Sequence, residues 1–246
     1  MGIPATRRTL LKLGLSLLSV PAIAKTRRGA RGVVELFTSQ GCSSCPPADA
    51  FFAELAERDD IVTLAYHVDY WDYLGWKDSL ARPENADRQR EYSKVFDSTV
   101  YTPQAVVNGR INLVGSDRAA ILSALQEQDG VHGLSVDLDL SAIGGRMIVE
   151  VGRASTSDQA HIILVYYKPR QVVEIDAGEN AGRTADYRDI VTSFQTVGIW
   201  HGDAMRLELP KSEMSRRGGR CAVLLQKVDE DGQPGPILGA TCSQAV

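Results

Sequence analysis

The sequence predicts an α/β domain followed by an all-β domain, and three observations predict it. Residues 31–130 alternate short apolar runs with stretches of helical spacing. From residue 131 onward, apolar and polar residues alternate in short runs between glycine-rich or charged turns, with no long helical period. At the first hand-over from apolar run to helix stands Cys42-Ser43-Ser44-Cys45, followed by Pro46 and Pro47.

The elements follow in order. Val33, Val34, Leu36 and Phe37 read as a buried strand, and Phe51, Phe52, Leu55 and Ala56 give residues 47–58 a helical period. Residues 61–68 form a second apolar run. The charged stretch 83–96, with Tyr92, Val95 and Phe96, fits a surface helix. Asn108-Gly109 between 104–107 and 111–114 is a strong hairpin signal. Ser116 is placed to cap a helix over 117–126 that carries Ile121, Leu122 and Leu125 on one face. The resulting order, β-α-β-α-β-β-α, holds two crossovers and a hairpin, which is the order of a thioredoxin fold. Beyond it, Leu134, Val136, Leu138 and Leu140 alternate as in a half-buried strand. Residues 146–151, 160–167, 171–175, 187–199, 205–209 and 221–228 repeat that style. Residues 176–186 read as an exposed loop. The expected fold is therefore an α/β thioredoxin-like domain over 31–130 and an all-β sandwich-like domain over 131–246.

The N-terminus reads as a cleaved export signal over residues 1–24. Arg7-Arg8 precedes Leu10-Leu11-Lys12, a short apolar core follows, and Ala22-Ile23-Ala24 suits a signal peptidase. The arginine pair points to the twin-arginine route, with a general secretion signal as the alternative. The core is too short for a membrane span, and no later segment is long or apolar enough to be one. A periplasmic or secreted location follows. Cleavage would remove Arg7, Arg8 and Lys12 and shift the formal charge from −4 to −7. That balance argues against nucleic acid and anionic lipid as partners.

Four cysteines in an exported chain suggest two pairs. A sulfur at a helix N-terminus faces unpaired N–H groups and the positive end of the helix dipole, which stabilise a thiolate. Cys42 is accordingly the expected nucleophile and Cys45, one turn on, the resolving thiol. The same motif also fits a structural disulfide or half of a metal site. Cys221 and Cys242 are expected to face each other across a turn at Asp231-Gly232 as a structural bridge. Thr102-Pro103 stands just before the strand 104–107, where a cis proline would leave the Thr102 backbone free to guide an extended partner; an ordinary trans proline also fits there. Glu35 can serve as the buried proton acceptor for Cys45 if it points inward, or face solvent at a strand edge. Tyr70 and Trp71 can line a substrate groove or pack an interface. His67 and Asp69 can tune Cys42, or His67 can be an ordinary core histidine.

The stretch from Val33 to Asp49, with Glu35-Leu36-Phe37-Thr38-Ser39-Gln40-Gly41-Cys42-Ser43-Ser44-Cys45-Pro46-Pro47-Ala48, resembles the signature of an uncharacterised family of secreted bacterial proteins, domain of unknown function 1223. His67-Val68-Asp69-Tyr70-Trp71-Asp72 and Tyr101-Thr102-Pro103-Gln104 resemble it too. The resemblance implies a thioredoxin-like fold and says little about activity. The expected function is an exported thiol–disulfide oxidoreductase acting on protein thiols and disulfides, with a membrane-bound electron donor among its candidate partners and no cofactor or resident metal. The alternatives are a soft-metal chaperone using Cys42 and Cys45, and a non-catalytic binding module stapled by them.

Overall fold

The computed structural model describes residues 1–2, 30–127, 133–155 and 159–243. All but the first two residues of the expected export segment, and the expected boundary at 130–131, lie outside the described residues. The elements are β1 (Gly32–Thr38), α1 (Pro46–Ala56), β2 (Ile61–His67), α2 (Pro83–Val95), β3 (Gln104–Val107), β4 (Ile111–Val114) and α3 (Arg118–Glu127), then β5 (Leu138–Ile143), β6 (Arg146–Val151), β7 (Ala160–Ile175), β8 (Arg183–Trp200), β9 (Met205–Pro210), α4 (Lys211–Arg217), β10 (Arg220–Val228) and β11 (Pro234–Cys242). Every residue of β1 and β2 is buried. Strands covered on both faces read as continuous apolar runs, which is why no alternation marks them. Asn108 and Gly109 take positive φ of 50° and 64° and close the β3–β4 hairpin. Asp117 rather than Ser116 caps α3, its carboxylate accepting the Ala120 N–H at 3.0 Å.

The sheet order corrects the expected fold class. A thioredoxin-like α/β domain followed by a separate sandwich is not what forms. Strands from both halves of the chain make one mixed sheet of eight, in the order β11-β10-β7-β8-β2-β1-β3-β4, and only β5, β6 and β9 form a second sheet. The joint is β8 alongside β2, parallel at Ala65 and Ile190. Alternating apolar residues reveal that a segment is a strand but not which strand it will pair with. The sequence also conceals how long β7 and β8 are, because Pro169 interrupts the pattern. Pairing with β10 ends at Tyr167, so Pro169 lies where β7 has a neighbour on one side only, and the β7–β8 ladder skips Pro169 and Asp189 (φ 45°).

The sheet curls until its two ends meet. The Ile237 N–H donates to the Asn108 carbonyl at 2.9 Å, linking β11 to the β3–β4 turn. Inside the curl lies a core shared by both halves: Val33, Phe37, Leu64 and Tyr66 with Val165, Tyr167, Leu224 and Ile237. At its centre Glu35, fully buried, accepts from Arg88 at 2.8 Å and from the Tyr92 hydroxyl at 2.5 Å. Arg88 also donates to Gln226 of β10 at 2.9 Å and lies over the rings of Tyr66, Tyr92 and Phe194. On the other face of β1, Val34 and Leu36 pack against α1 and α3. A third core, between β7, β10 and the small sheet, is built around Trp200, Met147 and Tyr166.

The expected Cys221–Cys242 bridge does not form, and the register gives the reason. Cys242 stands opposite Ala222, not Cys221. A one-residue offset turns side chains to opposite faces of a sheet. Cys221 points into the core of the small sheet and Cys242 packs against the core inside the curl.

Removing one member of a buried ion pair leaves the other charge uncompensated, at a cost of about 3–5 kcal/mol. Glu35→Ala is therefore expected to lower the unfolding free energy by about that amount in urea titration. A loss of a few tenths of a kcal/mol would show that Arg88 finds another partner.

Candidate functional site

The Cys42–Cys45 pair is a disulfide with a Cα–Cα separation of 5.4 Å, set at the start of α1. The chain leaves β1 at Thr38, turns through Ser39, Gln40 and Gly41, and enters the helix with Cys45 as its N-cap and Pro46 and Pro47 in its first turn. Proline fits there because the first helical N–H groups have no partner within the helix. Gly41 lets the loop pack closely: a Cβ at this position would lie 3.1 Å from that of Trp71, so a larger residue would push the two apart by a few tenths of an ångström.

Both sulfur-bearing residues are buried, Cys42 at 0% and Cys45 at 1% exposure, while Ser43 and Ser44 between them are exposed. Three groups form the cover. Asn180, from the turn between β7 and β8, donates its amide to the carbonyls of Gln40 at 2.9 Å and Cys42 at 2.8 Å. Trp76 donates to the Gln40 side chain at 2.8 Å. Trp71 donates to the Thr102 hydroxyl at 2.8 Å. The stretch expected as an exposed loop is thus part of the site: Asn180 is 2% exposed, and β8 already begins at Arg183.

The Thr102–Pro103 bond is cis. The Ser44 hydroxyl lies 3.4 Å from the Cys42 sulfur and donates to the Thr102 carbonyl at 3.3 Å, so that carbonyl stands beside the cysteine loop. Tyr70 is half-buried and donates to Gln89 at 3.0 Å; burial, partly offset by Gln89 and Thr102, pushes its phenol up to about 12. Asp69 is half-buried on the chain leading to Trp71, its carbonyl accepting the Asp72 N–H.

His67 is fully buried and its Nδ1 lies 2.8 Å from Asp78. Among the described residues its Nε2 has no hydrogen-bond partner, and its ring meets that of Tyr187 edge-on at 4.6 Å. Burial alone would raise the Asp78 carboxyl, but His67 and the N–H groups of Gln40 and Leu80 outweigh it and hold the carboxyl below its usual range. His67 is therefore paired with Asp78, eleven residues on, rather than with Asp69.

Glu35 is not near this constellation. It points into the curl, on the face of β1 away from α1, and Arg88 and Tyr92 occupy its carboxylate. The carboxylate on the α1 side is Asp49. It lies one helical turn beyond Cys45, whose carbonyl accepts the Asp49 N–H at 3.0 Å. Its side chain accepts from the Thr38 hydroxyl at 2.7 Å. Desolvation pushes its pKa up to about 6, against the opposing pull of Thr38 and His67. Asp49 also lines a cavity of about 420 Å³ with Pro46, Ala53, Asn180, Arg183 and Tyr187, which gives its carboxyl a way to solvent. The i, i+4 relation of Cys45 and Asp49 is a sequence signal that could have found it. Asp78 and Asn180 leave no such signal, since only the fold brings them to the cysteine loop.

The profile of a family described as protein of unknown function (DUF1223) matches residues 33–226. The chain is similar to a crystal structure of a protein from Agrobacterium tumefaciens, with 38% identity, a TM-score of 0.80, and coverage of 89% of this chain and 96% of that one. It is also similar to HBP35 of Porphyromonas gingivalis, with 12% identity, a TM-score of 0.62, and coverage of 89% and 76%; that likeness is one of fold alone. No curated protein matches the chain.

Asn180→Ala would remove two hydrogen bonds from the cover, each worth about 1 kcal/mol. The disulfide in this variant is expected to be reduced by dithiothreitol about tenfold faster than in the wild type, followed by quenching and alkylation. An unchanged rate would show that Asn180 does not limit access to the sulfurs.

Proposed function

The chain belongs to the DUF1223 family, and from that premise and the site's geometry we propose that it is an exported thiol–disulfide oxidoreductase acting on protein thiols and disulfides through Cys42 and Cys45. The observation that carries this reading is Asp49, a desolvated carboxyl with a pKa of about 6, one turn from Cys45 and open to a cavity. A proton acceptor near neutrality is what a resolving cysteine needs. An N-terminal export signal, as expected from Arg7-Arg8 and Ala22-Ile23-Ala24, would place the chain outside the cytoplasm, where disulfides persist.

The cycle balances in both directions. In oxidation, a partner thiolate attacks the Cys42 sulfur, the Cys42–Cys45 bond breaks, and Cys45 leaves as a thiolate that takes a proton from Asp49. A second partner thiolate attacks the mixed disulfide, which releases oxidised partner and the Cys42 thiolate. In reduction, the Cys42 thiolate attacks a partner disulfide, Asp49 accepts the Cys45 proton, and Cys45 displaces the reduced partner. Two electrons move each way. The Ser44 hydroxyl beside Cys42 and the N-terminus of α1 both favour the thiolate. The Thr102 carbonyl is the backbone group nearest to hand for holding a partner strand.

The deep burial of both sulfurs favours a second reading, a non-catalytic module in which the pair is a permanent staple. The reduction potential separates the two. It is measured by equilibration in thiol buffers with Cys221 and Cys242 replaced by serine. Exchange catalysts fall at about −120 to −270 mV and structural bridges below about −300 mV. The oxidoreductase reading expects the upper range, and a value below about −300 mV overturns it.

Asp49 sets the pH dependence. When Cys45 of the reduced protein resolves the mixed disulfide, the Asp49 carboxylate is the base, so the rate of that step should rise as pH passes upward through about 6. Asp49→Asn is expected to lose that rise in stopped-flow exchange with a model disulfide. A raised carboxyl pKa means that the folded state retains a proton the unfolded chain releases. This group's contribution to stability is thus greatest below the ordinary carboxylate range and falls as pH rises from 3.8 to about 6. Asp49→Asn should accordingly be no less stable than the wild type at pH 7, which separates lost catalysis from lost folding.

A further inference from the structure

Between the two sheets, away from the disulfide, three sulfurs converge. The Cys221 Sγ of β10 lies 3.5 Å from the Met147 Sδ of β6 and 3.6 Å from the Met214 Sδ of α4. All three residues are buried, at 0%, 2% and 4% exposure. The chain has four methionines, and two of them touch this one thiol. Met214 lies seven residues before Cys221, across the Gly218-Gly219 turn, whereas Met147 is brought from β6, 74 residues away, by the fold.

We propose that Cys221, Met147 and Met214 bind one soft monovalent cation, Cu(I) or Ag(I), through a thiolate and two thioethers. Neither Cys42 nor Cys45 takes part, so the proposal is independent of the redox reading. Donor softness carries the choice of ion. Thiolate and thioether sulfurs select Cu(I) and its congeners over zinc, magnesium or calcium, which need imidazole or oxygen. Among the described residues no group of three His, Cys, Asp or Glu gathers that could hold a harder ion. The spacing is close to what is needed. Metal–sulfur bonds of about 2.3 Å in a trigonal site place the sulfurs about 4 Å apart, so each methionine sulfur must retreat by about half an ångström. Methionine side chains make such adjustments readily.

Binding is a proton exchange and no redox step. The Cys221 S–H bond breaks, a sulfur–metal bond forms, the ion stays monovalent, and one proton leaves for each ion bound. The short helix α4 carries Met214, begins after Pro210, and ends at Gly218 and Gly219, both at positive φ (153° and 88°). Elsewhere α4 is held by surface contacts: the Thr192 hydroxyl donates to the Arg217 carbonyl, and the Arg217 guanidinium lies 5.3 Å from the Tyr166 ring.

The test uses the whole chain with the Cys42–Cys45 disulfide intact and Cys242→Ser, which leaves Cys221 as the one thiol. Ag(I) nitrate is titrated in and followed by native mass spectrometry, with affinity measured by competition. The expected result is one Ag(I) per chain with loss of one proton, abolished by Cys221→Ala. Met147→Leu and Met214→Leu conserve volume. Each should weaken Ag(I) at least as much as the about 10–100-fold lost when groups behind metal ligands are removed. X-ray absorption of the Cu(I) form, prepared with ascorbate, should show three sulfur neighbours, and two in Met214→Leu. Circular dichroism confirms folding of each variant. The proposal is overturned if no Ag(I) adduct forms. It is equally overturned if Cys221→Ala binds as well as its parent, or if both leucine variants do, which would leave the sulfurs as core packing alone.

Discussion

The architecture depends on a carboxylate buried where no water reaches it. Glu35 sits at the middle of a central strand, and a charge there is tolerable only because Arg88 and Tyr92 meet it. Arg88 in turn must be supplied with acceptors and aromatic faces, and these come from the opposite end of the chain: Gln226 from β10 and Phe194 from β8. Gln226 also donates to the Tyr92 hydroxyl at 2.8 Å and to the Gly235 carbonyl. The ion pair and the Gln226 side chain together thus impose a position on α2, β1, β8, β10 and β11. An apolar core of the same volume could hold those elements, but it would not specify their mutual register as narrowly.

With β1 fixed, the two sides of the sheet acquire different chemistry. The face inside the curl is closed, aromatic and charge-compensated. The face toward α1 ends at Thr38 and His67, which are register partners, and there polar groups accumulate: Asp49 on Thr38, Asp78 on His67, and Gln40 on Asp78. The cysteine loop rests on this polar floor and lies beneath the indoles and Asn180. Parallel strands ending side by side, with a helix starting above them, make this a natural place for a site.

Much of this was legible in the residues. The apolar runs of β1 and β2, the Asn108-Gly109 hairpin, the helices that open at Pro46 and Pro83, and the β6 strand stand where the sequence places them, because each is encoded locally. The cysteine motif marked the site for the same reason. What the sequence did not disclose was decided between distant segments. Nothing local says that β8 will lie beside β2, so one sheet was read as two domains. Strand alternation does not fix register to a single residue, so Cys221 and Cys242 were paired across a turn although they face opposite ways. Glu35 was read either as a buried proton acceptor for Cys45 or as a solvent-facing residue at a strand edge; it is buried, but on the face of its strand away from the cysteines. Asp78 and Asn180 became visible only when the fold delivered them.

The shared core inside the curl also bears on how the chain comes into being. A ribosome releases α1, α2 and the strands β1–β4 first, and at that moment Tyr66, Tyr92 and the Arg88 guanidinium lack the strands that enclose them. The last of those strands, β10 (220–228) and β11 (234–242), follow every other element of the fold along the chain. The first half therefore waits, with its apolar interior uncovered, until β10 and β11 have been made. The pairings among β1, β2, β3 and β4 can form early, but the core inside the curl closes around its buried charge only when β10 and β11 arrive.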